Sequence, residues 1–172
     1  MARFRFVMAT LVLLVTAGLT SHAQGVQGDT HLGTWLLTVT PPSTPVAVVP
    51  PFNVLLTFNA GGGAIATTQN DQLNMPPFAS NAGPQMGTWQ RGANGKINAT
   101  FLSFVYAPTG GPGNAAVGIV KIRATYEFPD ANIITGKGQL LFCDLNGDNC
   151  FAPGGSATAA VQGKKVQVEE IQ

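Results

Sequence analysis

The sequence predicts an all-β domain, an antiparallel up-and-down β-barrel of eight or nine strands. Apolar and polar residues alternate in most segments between turns, which is typical of strands with one buried face. The 21 glycines and 12 prolines mark frequent turns, and no segment shows the apolar spacing of an amphipathic helix. Successive strands joined mostly by short turns favour a barrel, with a two-sheet β-sandwich as the alternative.

The first predicted strand is Gly33–Thr40, where Trp35, Leu37 and Val39 alternate with less apolar residues. In the sixth predicted strand, apolar residues from 120 to 128 alternate with Lys121, Arg123 and other polar residues. Both segments have the period of two that places one face of a strand against a core. The other predicted strands are 52–59, 64–69, 86–91, 97–107, 133–143, 150–162 and 164–171.

Three segments between the strands are predicted to be irregular or turns. Residues 41–51 hold five prolines, which exclude a central strand, so we expect an extended loop. Residues 70–85 form the longest predicted irregular segment, which would be a loop tucked over a barrel end or an apolar lid. Asn94-Gly95 is a strong signal for a hairpin turn between two strands.

The first 23 residues have the pattern of a signal peptide. Arg3 and Arg5 precede an apolar run, residues 7–19, and Ser21 and Ala23 offer small residues for cleavage after Ala23. The apolar run is short for an N-terminal membrane anchor, which is the alternative. We therefore expect a secreted or periplasmic protein.

The remaining residues, 24–172, are predicted to form one domain. The whole chain has 9 basic and 8 acidic residues, so loss of Arg3 and Arg5 leaves 7 basic against 8 acidic, a net charge of −1. Without a basic patch, nucleic acid is not an expected partner. No later apolar run is long enough for a transmembrane span. Nothing in the sequence predicts an oligomeric state.

The segment CDLNGDNC, residues 143–150, contains both cysteines of the chain. A two-residue type I′ turn at Asn146-Gly147 would place Cys143 opposite Cys150 on paired strands, within disulfide distance. An exported protein meets an oxidising compartment. We therefore predict a hairpin closed by a Cys143–Cys150 disulfide.

The same segment is a weak candidate for a metal site. Asp144, Asn146 and Asp148 match the first ligand positions of a calcium loop, but Asn149 and Gly155 stand where glycine and glutamate are needed. Zinc needs more ligands than two thiols, and the cysteine spacing differs from that of a redox pair. We predict no metal and no cofactor.

Acid–base or nucleophilic catalysis has few candidate groups. His31 is the one histidine after the predicted cleavage site, and its position in an N-terminal arm predicts a solvated side chain. Lys121, Arg123 and Glu127 share one face of the sixth predicted strand. If that face were interior, it would bind a polar group or do acid–base work. The apolar face opposite is more continuous, which favours an outward orientation.

Gly33-Thr34-Trp35 at the start of the first strand resembles the Gly-x-Trp signature of lipocalins and the wider calycin group. A second Gly-Thr-Trp, residues 87–89, and the stretches LLTF-x-AGG and FLSFVYAP resemble small exported bacterial proteins of lipocalin-like shape. The resemblance covers residues 32–171, but the chain has neither the C-terminal helix nor a clear second signature of lipocalins. It implies a barrel that one tryptophan plugs at one end. Allene oxide cyclases and dirigent-type proteins share this small-barrel plan.

The sequence thus favours an exported barrel that binds a small apolar or amphipathic ligand, and a binding protein over an enzyme. The alternatives are a filled structural or surface-interaction barrel and a cofactor-free isomerase or cyclase with ionisable groups in the lumen. The predicted ligand-binding residues are Trp35, Phe58, Trp89, Phe101, Tyr106, Arg123 and Tyr126.

Overall fold

The computed structural model describes residues 29–42, 49–69, 72–75, 78–106, 115–152, 155 and 157–169. These residues form ten β-strands and one 3-10 turn, which confirms the all-β class. They contain no helix with the length and apolar character needed to cross a bilayer. The predicted signal peptide lies outside the described residues. The strands are β1 (Gly33–Thr40), β2 (Phe52–Phe58), β3 (Gly63–Thr68), β4 (Gln72–Met75), β5 (Phe78–Ala82), β6 (Gln85–Arg91), β7 (Ile97–Tyr106), β8 (Ala116–Glu127), β9 (Ile133–Cys143) and β10 (Ala159–Lys165).

Eight of these strands close into an antiparallel ring. Each ring strand pairs with the next one along the chain, from β1 to β2 and β3, then through β6, β7, β8 and β9 to β10. The ring closes where β10 pairs with β1, with Trp35 opposite Lys165. This is an up-and-down β-barrel, as predicted, and its closure excludes the two-sheet sandwich.

The core fills the inside of the ring because the strands alternate as their sequences predict. β7 is the clearest case, since Ile97, Ala99, Phe101, Ser103 and Val105 are buried and the residues between them are exposed. In β8, Ala124 and Tyr126 point inward, while Arg123 and Glu127 are exposed. The outward orientation of the charged face of β8 is therefore confirmed.

Three interior-facing glycines make room for a large side chain on the neighbouring strand. The directly opposed pairs are Gly87–Phe101, Gly136–Tyr126 and Gly163–Leu37. A β-carbon placed at any of these glycines would lie 2.7 to 2.9 Å from the partner's side chain, below normal contact distance. The large side chains therefore lie flat against the barrel wall.

Two predictions about the strands are wrong. The segment 70–85 is not irregular, since β4 and β5 form a hairpin whose second strand pairs with the end of β7. The two strands predicted over 150–162 and 164–171 are replaced by the single strand β10. Before β10, Phe151 forms an isolated β-bridge to Phe142. Both errors arise because a segment forms a strand only where it has a pairing partner, and local alternation does not reveal that partner.

The tight turn between β6 and β7 confirms the Asn-Gly signal. Asn94 and Gly95 both adopt positive φ, at 59° and 74°. The amide of Gly92 donates to the carbonyl of Lys96 at 2.7 Å and closes the turn. Positive φ at two successive positions is the geometry that Asn-Gly tolerates best.

The disulfide between Cys143 and Cys150 is present, with Cα atoms 4.0 Å apart. The turn inside it differs from the predicted two-residue form, because the amide of Asp144 donates to Asp148 rather than to Asn149. The Asp144 carboxylate accepts hydrogen bonds from the amides of Asn146 and Asp148 at 3.0 and 2.9 Å. The acidic side chain at the start of the loop therefore organises it.

Loss of this disulfide is expected to lower the free energy of unfolding by about 2–3 kcal/mol, the chain-entropy value for a short closed loop. The change to test is the double substitution Cys143→Ala and Cys150→Ala, measured by urea denaturation against the oxidised protein. Reduction of the unmodified protein should reproduce the shift of the midpoint. Free thiols in the native protein, detected by mass spectrometry, would contradict the prediction.

Candidate functional site

One end of the barrel is filled by aromatic side chains. We call it the aromatic end, defined by His31, Trp35, Phe58, Trp89 and Phe128. Phe58 lies at the centre, with its ring centroid 6.1 Å from that of Trp89 and 6.2 Å from that of Phe128, both edge-on. Edge-to-face pairs of this kind add stability beyond area burial. The aromatic end is therefore a closed and rigid floor.

His31 completes this floor, so the prediction of a solvated side chain is wrong. The residue is 3% exposed, and its ring packs edge-on against Trp89 with centroids 4.7 Å apart. Its carbonyl accepts a hydrogen bond from the indole Nε1 of Trp35 at 2.9 Å. Residues 29–32 thus fold over the barrel end and are held there by the side chains that they cover.

The surroundings of His31 favour its neutral form. Burial lowers the pKa of the imidazole, and Arg91 and Lys165 act in the same direction, while Asp29 opposes them. The Nε2 atom is buried without a hydrogen-bond partner and lies 4.0 Å from an Asp29 carboxylate oxygen. Asp29 is itself paired with Arg91. Protonation would therefore place a poorly solvated charge among aromatic rings.

Acidification from pH 7.5 to 5.5 is expected to lower the melting temperature by a few degrees through His31. Its pKa in the folded protein lies below the unfolded value of about 6.5, so the unfolded chain binds more protons as the pH falls through 6.5. The free energy of unfolding therefore decreases as the pH falls below 6.5, and it stops decreasing below the pKa of His31 in the folded protein. Thermal melts at several pH values, on the native protein and on His31→Phe, measure this.

The His31→Phe variant keeps an aromatic ring at this position but cannot titrate. Its melting temperature should therefore change less between pH 7.5 and 5.5 than that of the native protein. Equal pH dependence in the two proteins would show that His31 does not carry the effect.

The middle of the barrel is lined differently from the aromatic end. Phe101, Ile122 and Leu140 are directly opposed on β7, β8 and β9, and all three point inward. Phe101 is buried, but Ile122 and Leu140 remain partly exposed although they lie midway along their strands. Solvent therefore reaches apolar side chains inside the ring.

On β7 to β10, the next row toward the aromatic end contains only small residues. Ala99, Ala124, Gly138 and Ala159 are paired in sequence across β7, β8, β9 and β10. This small-residue row spans β7 to β10 and continues on β6 with Trp89, which is directly opposite Ala99. Val39 and Phe52 are paired at the end of the barrel opposite the aromatic end and are also partly exposed.

The interior of the barrel brings together most of the predicted ligand-binding residues. Trp35, Phe58, Trp89 and Tyr126 belong to the aromatic end or contact it, and burial raises the pKa of Tyr126, which keeps its hydroxyl neutral. Phe101 lies in the middle row. Trp35, Phe58, Trp89 and Tyr126 therefore close one end of the interior.

Tyr106 and Arg123 do not join this set. Tyr106 ends β7 next to a β-bulge at the end opposite the aromatic end. Arg123 is exposed on the outer face of β8 and lines a surface groove of about 320 Å³ together with Lys137. Its side chain therefore points away from the lumen.

The charged residues of β8 also have roles on the outer face. Lys121 donates a hydrogen bond to the carbonyl of Gly147 at 2.8 Å and so fixes the disulfide loop to the barrel. Glu127 forms an ion pair with Lys96. Neither group supplies acid–base chemistry inside the barrel, on which the isomerase or cyclase alternative depends.

The acidic loop offers little to a cation. A hydrogen bond from the Asn149 side chain, with those from backbone amides, lowers the pKa of Asp144 and occupies its oxygens. Within the described ranges, no group of three or more histidine, cysteine, aspartate or glutamate side chains could hold a metal ion.

Sequence reasoning missed the partly exposed interior residues Ile122 and Leu140. Ile122 could be found from the alternation of β8, which predicts its inward orientation. The degree of exposure of Ile122 could not be predicted, because it depends on the residues that the neighbouring strands place beside it.

Comparisons with protein-family models, curated proteins and solved structures find no match to this chain.

Proposed function

We propose that this protein is an exported, lipocalin-like barrel that binds a small apolar or amphipathic molecule in its interior. The observation that carries the proposal is the partial exposure of Ile122 and Leu140, an opposed apolar pair midway along the inside of the barrel. Ligand sites are concave, largely apolar and mostly preformed, and barrel mouths are a common location for them.

The lining favours an apolar ligand body. Ile122, Leu140 and the small-residue row supply hydrocarbon surface, and Val39 and Phe52 extend it toward the end opposite the aromatic end. Each buried methylene of a ligand contributes about 0.8 kcal/mol. A chain of about ten methylenes would therefore contribute about 8 kcal/mol, from which the cost of association is subtracted.

Two further observations support the lipocalin-like identity and the export. Trp35 closes one end of the barrel, as the resemblance to lipocalins implies. The Cys143–Cys150 disulfide is of the kind that persists in oxidising compartments. The proposed signal peptide, residues 1–23, would deliver the chain there.

The test is a titration of the purified protein with dansyl-undecanoic acid, a fluorescent fatty-acid analogue. We expect saturable 1:1 binding with a Kd in the micromolar range. Ala159→Trp places a large ring in the small-residue row at the start of β10 and should weaken binding at least tenfold. Met86→Lys, on the outer surface, is the matched control and should bind the probe like the unmodified protein.

Two outcomes would refute interior binding. One is the absence of saturable binding by the unmodified protein. The other is an affinity that Ala159→Trp leaves unchanged and Met86→Lys reduces, which would place the probe on the outside. Circular dichroism of each variant confirms that its strands have formed.

A further inference from the structure

The outer surface of the barrel is divided into two halves of different character. Apart from Arg91 at the end of β6, no residue of β1, β2, β3, β6 or β7 is charged. The other charged residues of the ring lie on β8, β9 and β10. Apart from Arg91, five neighbouring strands of the barrel wall therefore carry no charge, which is unusual for a surface that faces water. We call these five strands the uncharged half.

Six apolar side chains form one continuous stripe across this uncharged half. They are between 42% and 67% exposed, with Met86 the most exposed. We call them the apolar stripe: Leu36, Leu55, Ile65, Met86, Leu102 and Phe104.

The strand register shows that the stripe is continuous. Leu36 is directly opposite Leu55, and Met86 is directly opposite both Ile65 and Leu102 on its two sides. Leu55 pairs with Thr67, which places Ile65 at the diagonal position, within reach of a long side chain. Phe104 follows Leu102 on the same face of β7.

The size of the stripe corresponds to what a stable dimer buries. Six side chains that are each about half exposed present on the order of 500 Å² of apolar surface, near the upper limit for the largest patch on a monomer. A standard interface buries about 800 Å² per partner, and about 65% of a homodimer interface is apolar. The apolar area needed per partner is therefore about what the stripe presents.

The rim of the stripe has the composition of an interface edge. Thr57, Thr67, Thr88 and Thr100 flank it on the same outer face, and the Thr57 hydroxyl is hydrogen-bonded to that of Thr34 at 2.9 Å. An apolar centre with a polar rim is the arrangement found in subunit contacts. Charged residues stand at the two edges of the stripe, with Lys164 opposite Leu36 and Lys121 opposite Leu102.

We propose that the apolar stripe is the contact surface of a symmetric dimer, with a second copy of this chain as its occupant. A two-fold interface brings the same patch of both copies together, so any charge in it near the axis would meet its own image. The uncharged half avoids this repulsion. Lys164, which is paired with Leu36, marks the edge where the charged half begins.

The test is sedimentation velocity of the purified protein over a range from about 1 to 100 µM, concentrations that span the micromolar affinities of modest interfaces. We expect a concentration-dependent shift from monomer to dimer. Met86→Lys places a charge at the centre of the stripe and should raise the dimer dissociation constant at least 100-fold. Leu102→Gln, a neutral change at a neighbouring position, should weaken the dimer in the same direction.

The matched control is Thr135→Lys, which adds the same charge on the outer face of β9 and should leave the dimer intact. Thermal melts of all three variants show that they remain folded. A native protein that stays monomeric at every concentration would overturn the proposal. A monomer that binds phosphatidylcholine vesicles would also overturn it, because the stripe would then contact lipid rather than a second copy. A dimer that survives both stripe substitutions would overturn it as well. Neither result affects interior binding of the dansyl probe.

Discussion

Trp35→Ala is expected to lower the free energy of unfolding by about 3–5 kcal/mol, the usual cost of removing a fully buried tryptophan. The side chain of Trp35 has no exposed surface. Its ring packs edge-on against Phe128, with the two ring centroids 5.2 Å apart. The Lys165 Nζ atom lies over the same ring, 5.4 Å from its centroid, in a cation–π contact. The substitution also removes the hydrogen bond to the His31 carbonyl, so residues 29–32 lose their anchor.

The measurement is thermal or urea unfolding, with Trp89→Ala as the comparison. Trp89 stands in an identical Gly-Thr-Trp segment, but it is only partly buried and donates its indole hydrogen bond at an exposed site, to the carbonyl of Asn59. Its loss should therefore cost less. A drop of about 10 °C in the melting temperature is expected for Trp35→Ala, at about 2–4 °C per kcal/mol for a domain of this size. Equal losses for the two tryptophans would contradict the assignment of Trp35 as the main anchor.

Gly136→Ala is expected to lower the free energy of unfolding by about 2–3 kcal/mol, in the range found for overpacked cores. A β-carbon at Gly136 would lie 2.5 Å from the carbonyl oxygen of Thr125 and 2.9 Å from the ring of Tyr126. The Thr125 oxygen is backbone and belongs to the ladder between β8 and β9. Relief of the overlap therefore requires movement of the strands themselves.

Gly138→Ala is the matched control for Gly136→Ala, because it lies two residues further along the same strand and also points inward. Its β-carbon would find no atom closer than 3.7 Å, so a change within about 0.5 kcal/mol is expected. Urea denaturation of both variants gives the comparison. If both were tolerated, the side chain of Tyr126 would not lie flat against Gly136 as described.

The strand alternation could be predicted from the sequence because it is a local property. The pattern of β7 and β8 gives the inward and outward residues correctly, including the outward orientation of Arg123 and Glu127. The Cys143–Cys150 disulfide and the Asn94-Gly95 turn were predictable for the same reason. Each depends on residues that are close together in the chain.

The position of His31 could not be predicted. The two residues before it, Asp29 and Thr30, are polar, and a histidine beside them does not by itself indicate burial. The rings that surround it belong to Phe58, Trp89 and Phe128, between 27 and 97 residues away along the chain. Closure of the barrel brings these three residues to one end, and the covering arm follows from that closure.

The candidate ligand site was predicted in part. The sequence indicated that large aromatic residues face the interior. Trp35, Phe58 and Trp89 are found together at the aromatic end, and Tyr126 contacts Phe58 there. It did not distinguish the filled end from the accessible middle. That difference depends on which residues strand register aligns across β7 to β10.

By itself, the sequence determined the all-β class, the inward-facing residues of the long strands and the covalent link between the two cysteines, since each follows from alternation or short-range spacing. Tertiary structure alone decided which residues share a row of the barrel, which of the two tryptophans is sealed and where His31 lies. It also aligned the exposed apolar residues of five strands into one stripe. The physical reason is that these features depend on register between strands, and register is set by closure of the whole ring rather than by any one segment.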